Sequence, residues 1–242
     1  MSGKTTAHYT AVLRSILQLL PSPQVQEVIV DFEPAIWNAV RQVIPGTHIH
    51  GCTFHWPQTI WRKVQDCRPV TAYNESGPVH SLIKQVLALP YLPSNHTFRA
   101  FNCLREGVEA PALLELFTYI EKTWFRNSTW DVVNWSGYRR VIRTNNDCEG
   151  WHRRLNSRAG KDNIVLYLLI PLLHRESEFV SLQHQLVSEH KLTSSRRKAS
   201  RDQQVRLCKL WDDYEQKNQS TGTFLKACQL LVPPPSFNLT PQ

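Results

Sequence analysis

The chain has no apolar run long enough to span a membrane. The longest, residues 164–173, is interrupted by Pro171 and reads as part of a buried helix. The first residues, Met1-Ser2-Gly3-Lys4-Thr5-Thr6-Ala7-His8, lack the cationic and then apolar pattern of a secretory signal, so the chain is not expected to be secreted. A disulfide framework is missing too. Cys52, Cys67, Cys103, Cys148, Cys208 and Cys228 are scattered without paired spacing, which suits free thiols in a reducing compartment. On that ground the six Asn-X-Ser/Thr sequons, at Asn74, Asn95, Asn127, Asn134, Asn218 and Asn238, are read as chance. No internal repeat or low-complexity tract occurs, which excludes a solenoid. Acid is scarce. Twenty Asp and Glu face 28 Lys and Arg, a formal charge of +8 that favours an acidic polymer or an anionic surface as partner.

What is present is ample core material. Of 242 residues, 41% are hydrophobic and eight are Trp, which argues against disorder and allows one large domain or two small ones. Apolar residues at helical spacing (Val12, Leu13, Ile16, Leu17, Leu20) mark a helix over 9–20 that stops at Pro21-Ser22-Pro23. Residues 25–30 are β-rich and short, so they read as a strand. Pro34 suits the first turn of a helix to about residue 44, closed by Pro45-Gly46. Alternation over 47–52 predicts a second strand, followed by a helix over 58–65. Helical segments near 79–89, 96–107 and 111–125 come next, then a helix from Asn146 to Asn156. A long helix over 164–190, a basic hinge, a last helix near 203–216 and a loose tail over 233–242 complete the chain.

Two carboxylates stand in informative settings. Asp31 closes the run Val28-Ile29-Val30, at the carboxyl end of the first strand. Glu149 lies in the first turn of the helix opened by Thr144-Asn145-Asn146-Asp147-Cys148. Each has a plain alternative. Asp31 can be a turn residue ahead of the Pro34 helix. Glu149, three residues after Asn146, can be the far member of a capping box worth about 1 kcal/mol. On that helix Cys148, Trp151 and Leu155 make an apolar face, and Glu149, His152, Arg153 and Asn156 a polar one.

Three motifs in order carry a resemblance. Val30-Asp31-Phe32-Glu33-Pro34-Ala35, then Gly51-Cys52-Thr53-Phe54-His55, then Thr144-Asn145-Asn146-Asp147-Cys148-Glu149-Gly150-Trp151-His152-Arg153-Arg154-Leu155-Asn156 together resemble the Mutator-like element (MULE) transposase domain, over most of residues 1–160. The resemblance implies an α/β fold: the back half of an RNase H-like core, short parallel strands with a large helical insertion at about 57–130, and a helical extension over 161–232. It also implies DDE chemistry, in which two Asp and one Glu hold two Mg²⁺ or Mn²⁺ ions for in-line displacement at phosphorus. Asp31 is then the second acid and Glu149 the third, both catalytic and metal-binding. The first acid belongs on a strand that would precede Met1, and nothing in the chain matches it. The expectation is therefore an incomplete site with no stably bound metal and no cutting by this chain alone. DNA, in the form of transposon ends, is the implied partner, with a second copy or a complementing transposase subunit. Placement in the nucleus, otherwise the cytoplasm, goes with this.

Cys52 and His55 match the family's Cys-X-X-His element, and Asn145, Asn146, Trp151 and His152 belong with them as structural motif residues. Zinc is the sharper alternative, since His48, His50 and Cys52 alternate onto one strand face with His55 beyond. Zinc sites call for a second tight pair of ligands and none follows, so the structural reading is preferred. Seven basic residues between 139 and 161 face only Asp147 and Glu149; Arg143, Arg153, Arg154, Arg158 and Lys161 are the DNA-contact candidates. Seven more between 191 and 209 face only Asp202. They include Ser194-Ser195-Arg196-Arg197-Lys198, which reads as a solvated face or a weak nuclear-import signal. Most Trp are read as core, while Trp130 and Trp135, in an irregular stretch, are candidates for base stacking.

Overall fold

A computed structural model describes residues 4–67, 77–126, 129–140, 142–160, 164–189 and 198–232. Lys161, Arg196, Arg197 and the expected tail over 233–242 lie outside the described residues. The protein is predominantly helical with two short parallel strands, and its residues fall into two compact units. One comprises residues up to Thr144 together with those from Val205 onward; the other is 145–204.

In the first unit α1 (Thr6–Leu19) is capped by Thr5, whose hydroxyl accepts from the His8 N–H, and it packs on α2 (Pro34–Val43). Between them runs β1 (Glu27–Val30), and β2 (His48–Gly51) follows α2. The strands pair in parallel, with Glu27 opposite His48 and Val30 opposite Gly51. Ladder bonds continue past both ends, from His48 N–H to Gln26 O and from Cys52 N–H to Val30 O. Four-residue strands leave little sheet, so packing has to come from the helices. Pro34 at the first turn of α2 starts that helix directly after the strand-end turn.

Then come α3 (His55–Asp66), α4 (Pro78–Leu87), a 3₁₀ turn (Leu89–Tyr91), α5 (Ser94–Arg105) and α6 (Pro111–Ile120), which runs on as a π-helical turn (Glu121–Phe125). Trp56, Ile60, Trp61 and Val64 recur on one face of α3 and are all buried, as helical periodicity requires. The short α7 (Val132–Trp135) abuts β2, where the Asn134 Nδ2 donates to Ile49 O at 3.0 Å. That bond gives the Asn134 amide a structural use, in keeping with a chance sequon.

The core is aromatic. Trp56 and Trp135 stack at 4.5 Å between centroids, and Trp124 meets Trp56 edge-on at 4.7 Å. Phe32 fills the space beside Gly51, where a β-carbon would stand 2.1 Å from its ring. Trp130 and Trp135 are 6% and 1% exposed, so neither is available to stack on a base. This corrects the reading taken from their irregular surroundings: a stretch without helical period can still be pulled into a core by its side chains.

The second unit holds α8 (Asn146–Ala159) and α9 (Leu166–Ser188). Gly160 ends α8 at φ +66, and its N–H reaches Asn156 O at 3.1 Å, the left-handed stop that glycine adopts without strain. Pro171 sits inside α9. The helix α10 (Lys198–Glu215) leads into the first unit, where α11 (Thr221–Cys228) completes the fold. Leu207, Trp211, Phe224, Leu225, Cys228 and Val232 are all buried in the first unit's core, although the sequence pattern placed this stretch in a separate extension.

Candidate functional site

The strand-end acid is built by backbone first. The Asp31 carbonyl accepts from the Trp37 indole N–H at 2.8 Å and from the Glu33 N–H at 2.9 Å, which fixes the turn between β1 and α2. Two residues of chain join the end of β2 to α3: Cys52 is fully buried, and the His55 N–H donates to Cys52 O at 3.0 Å. This tight return sets the His55 ring beside Asp31, with Nδ1 3.0 Å from Oδ1. The Asp31 side chain is 52% exposed and that of His55 22%, so the carboxylate remains open to solvent and ions. Glu33, two residues on, is taken up elsewhere, since its Oε2 accepts from the Tyr9 hydroxyl at 3.1 Å. Burial, then that carboxylate, raises the Tyr9 pKa.

Arg143 also belongs to this unit. Its carbonyl accepts from the Thr53 N–H at 2.8 Å, which places it alongside the Cys52–His55 turn. Its guanidinium donates to Arg140 O and lies 5.5 Å over the Trp211 ring. Nearby, Arg139 bridges Asp212 at 2.6 Å and Glu215 at 2.7 Å. Arg139, then the Tyr138 hydroxyl, pulls the Glu215 carboxyl down to about 2. Arg140 lies 3.6 Å from Glu27. Much of the positive charge read from the sequence between 139 and 143 is therefore spent on partners within the fold.

The other acid is in the second unit. Glu149 is half-buried in the first turn of α8, and its N–H donates to Asn145 O at 3.0 Å. Asn145 is the cap and Asn146 the first helical residue, so Glu149 is the fourth. That is one place beyond where a reciprocal capping box uses its acid, which weakens the alternative based on helix capping alone. The apolar face of this helix is only lightly covered: Cys148 is exposed, and Trp151 and Leu155 are half-buried. The Trp151 ring lies 5.2 Å from His152, which is exposed.

Arg154 and Arg158 both turn to Glu176 of α9. Arg154 donates through Nε and Nη2 at 3.2 and 2.8 Å, and Arg158 closes on the other oxygen. Both guanidinium groups also lie over Phe179, at 5.0 and 6.0 Å. Glu176 is 2% exposed, and the Arg154 hydrogen bond above all holds its pKa down. Nothing in the sequence marked Glu176. Arg154 and Arg158 share a helix face four residues apart, but an acid 18 residues further on pairs with them only once two helices have packed. Arg153, by contrast, is exposed and makes no ion pair among the described residues.

The histidines of β2 do not gather a metal. His48 is exposed and stacks on His50 at 6.4 Å, while Cys52 lies past the strand in the core. Among the described residues no group of three or more His, Cys, Asp and Glu side chains is set to hold a metal ion. His50 is 5% exposed with both ring nitrogens unbonded. Burial, aided by Arg140, lowers its pKa to about 4.

The donor chemistry fits a hard cation better than zinc. Asp31 is a solvent-open carboxylate with one oxygen engaged, and Mg²⁺ is commonly held by one or two carboxylates with water and phosphate making up the rest. No known family, curated protein or solved structure matches the chain. The residues themselves carry whatever functional reading follows.

Proposed function

We propose that the chain is a piece of a MULE-type DDE transposase, the class of enzyme that cuts and joins DNA strands with Mg²⁺ or Mn²⁺. The observation that carries this reading is Asp31: a half-exposed carboxylate at the carboxyl end of a strand in a parallel pair, with the histidine of a Cys-X-X-His turn against it. Glu149, in the first turn of a helix opened by Thr144-Asn145-Asn146, supplies the matching acid in the same chain order. In this reading both acids ligate the divalent cation, which would stabilise charge on the reacting phosphate. Arg153 contributes backbone phosphate contact, whereas Arg154 and Arg158 hold Glu176 and organise the helix. The RNase H-like core, the DNA partner and a nuclear location belong to the same proposal.

Two acids do not complete a two-metal site, and errors near 1 Å in such geometry cost roughly a hundredfold in rate. The 242-residue protein alone is therefore expected not to nick supercoiled DNA in Mg²⁺ or Mn²⁺. Robust cutting that disappears in Glu149→Gln would overturn this. Binding of a DNA duplex is expected to fall steeply with salt and to weaken in Arg153→Ala with no change in melting temperature.

A second reading, a helical protein-interaction module, is favoured by the many large apolar side chains exposed on α9, among them Leu166, Tyr167 and Ile170. Salt-insensitive duplex binding, or none, would select it.

A further inference from the structure

We infer that His55 is a positioning residue for Asp31, holding one carboxylate oxygen so that the other is presented to a divalent cation. The inference rests on the metal-binding reading of Asp31 given above. A carboxylate can only accept, so the proton of the 3.0 Å contact sits on Nδ1 of His55 and points at Oδ1. The turn does not need this bond. The Cys52 N–H to Val30 O and His55 N–H to Cys52 O bonds, with the Cys52 side chain fully buried, already set the path from β2 into α3. On the opposing side, the Trp37 indole and the Glu33 N–H already fix the backbone of Asp31. What those bonds leave loose is the Asp31 side chain itself, which is 52% exposed and free to rotate without a partner. His55 removes that freedom. It does for a carboxylate ligand what an outer hydrogen bond does for a metal-bound imidazole, fixing its orientation before the ion arrives. Glu33 is bound to Tyr9, so the oxygen left open at this strand end is that of Asp31.

The test uses the full 242-residue protein and terbium(III), a hard trivalent probe that carboxylates hold more strongly than Mg²⁺. Trp37, whose indole N–H sits on the Asp31 carbonyl, is close enough to sensitise its emission. Sensitised emission in the wild type should be lost in Asp31→Asn. His55→Ala should weaken terbium binding 10- to 100-fold, while His55→Asn, which keeps a donor near the Nδ1 position, should stay within about threefold of wild type. Melting temperatures of all three variants are read alongside. If His55→Ala titrates like the wild type, or if both His55 variants lose affinity only in step with melting temperature, the positioning role is overturned and Asp31 can still bind metal. If Asp31→Asn leaves the emission unchanged, the metal reading of Asp31 fails, and the role of His55 fails with it.

Discussion

His50 and His55 sit five residues apart and meet opposite environments. His50 ends in a buried pocket of the sheet with both nitrogens unbonded, under the positive charge of Arg140. Its pKa falls from 6.5 to about 4, so between those values the unfolded chain takes up a proton that the native protein refuses. Stability contributed by the neutral ring is complete above pH 6.5 and drains away as the pH falls toward 4, by up to about 3 kcal/mol. His50→Phe should keep the shape and remove this dependence. Urea unfolding of both proteins at pH 7 and pH 4.5 should show a smaller loss for the variant; equal losses would mean that the carboxylates alone set the acid limb. The alternation of His48, His50 and Cys52 was legible in the sequence, but its meaning was not. Period-two spacing puts residues on one face, and only packing says whether that face meets a metal, solvent or apolar side chains.

At the level of elements, α8 and α9 are joined by the Glu176 carboxylate and two guanidinium groups. A buried acid with two cationic donors tolerates the loss of any one member poorly, because the remaining charges stay in place without an acceptor. Glu176→Ala should therefore raise amide hydrogen exchange throughout α8 and lower the melting temperature, while Arg153→Ala leaves both unchanged. Protected amides in Glu176→Ala would show that apolar contact alone holds the pair. Most helices were recoverable from the spacing of apolar residues. The bounds moved where local chemistry differed: α5 begins at Ser94, directly after Pro93, and ends before Gly107, which takes φ +75. The π turn at Glu121–Phe125 and the short α11 had no comparable signal. The first is a change of bonding inside a continuous apolar period, and the second is only eight residues long.

For the whole molecule, the decisive fact is that residues after 204 return to the first unit. Leu207 and Trp211 of α10, with Phe224, Leu225 and Cys228 of α11, are almost wholly buried there, and the Trp211 indole donates to Tyr91 O at 2.8 Å. A chain ending at residue 204 should lose cooperative thermal unfolding, because removing several large side chains at once leaves cavities that each cost about 2–5 kcal/mol. Retention of a sharp circular-dichroism melt by that truncation would mean the first unit is stable without them. Asp31 and Glu149 fall in different units, with 117 intervening residues of mainly helical chain.

Apolar periodicity, proline and glycine punctuation and the two β-rich runs determined the order of helices and the two parallel strands, because those signals act within a few residues of chain. The charge of the basic clusters was equally visible as composition. Which cations remain open to an anionic partner was decided only by tertiary structure. Arg139, Arg154 and Arg158 are turned inward by Asp212, Glu215 and Glu176, acids 18 to 76 residues away in sequence. The same holds for Asp31. Its place at a strand end follows from local pattern, while the imidazole beside it depends on β1 and β2 pairing in register.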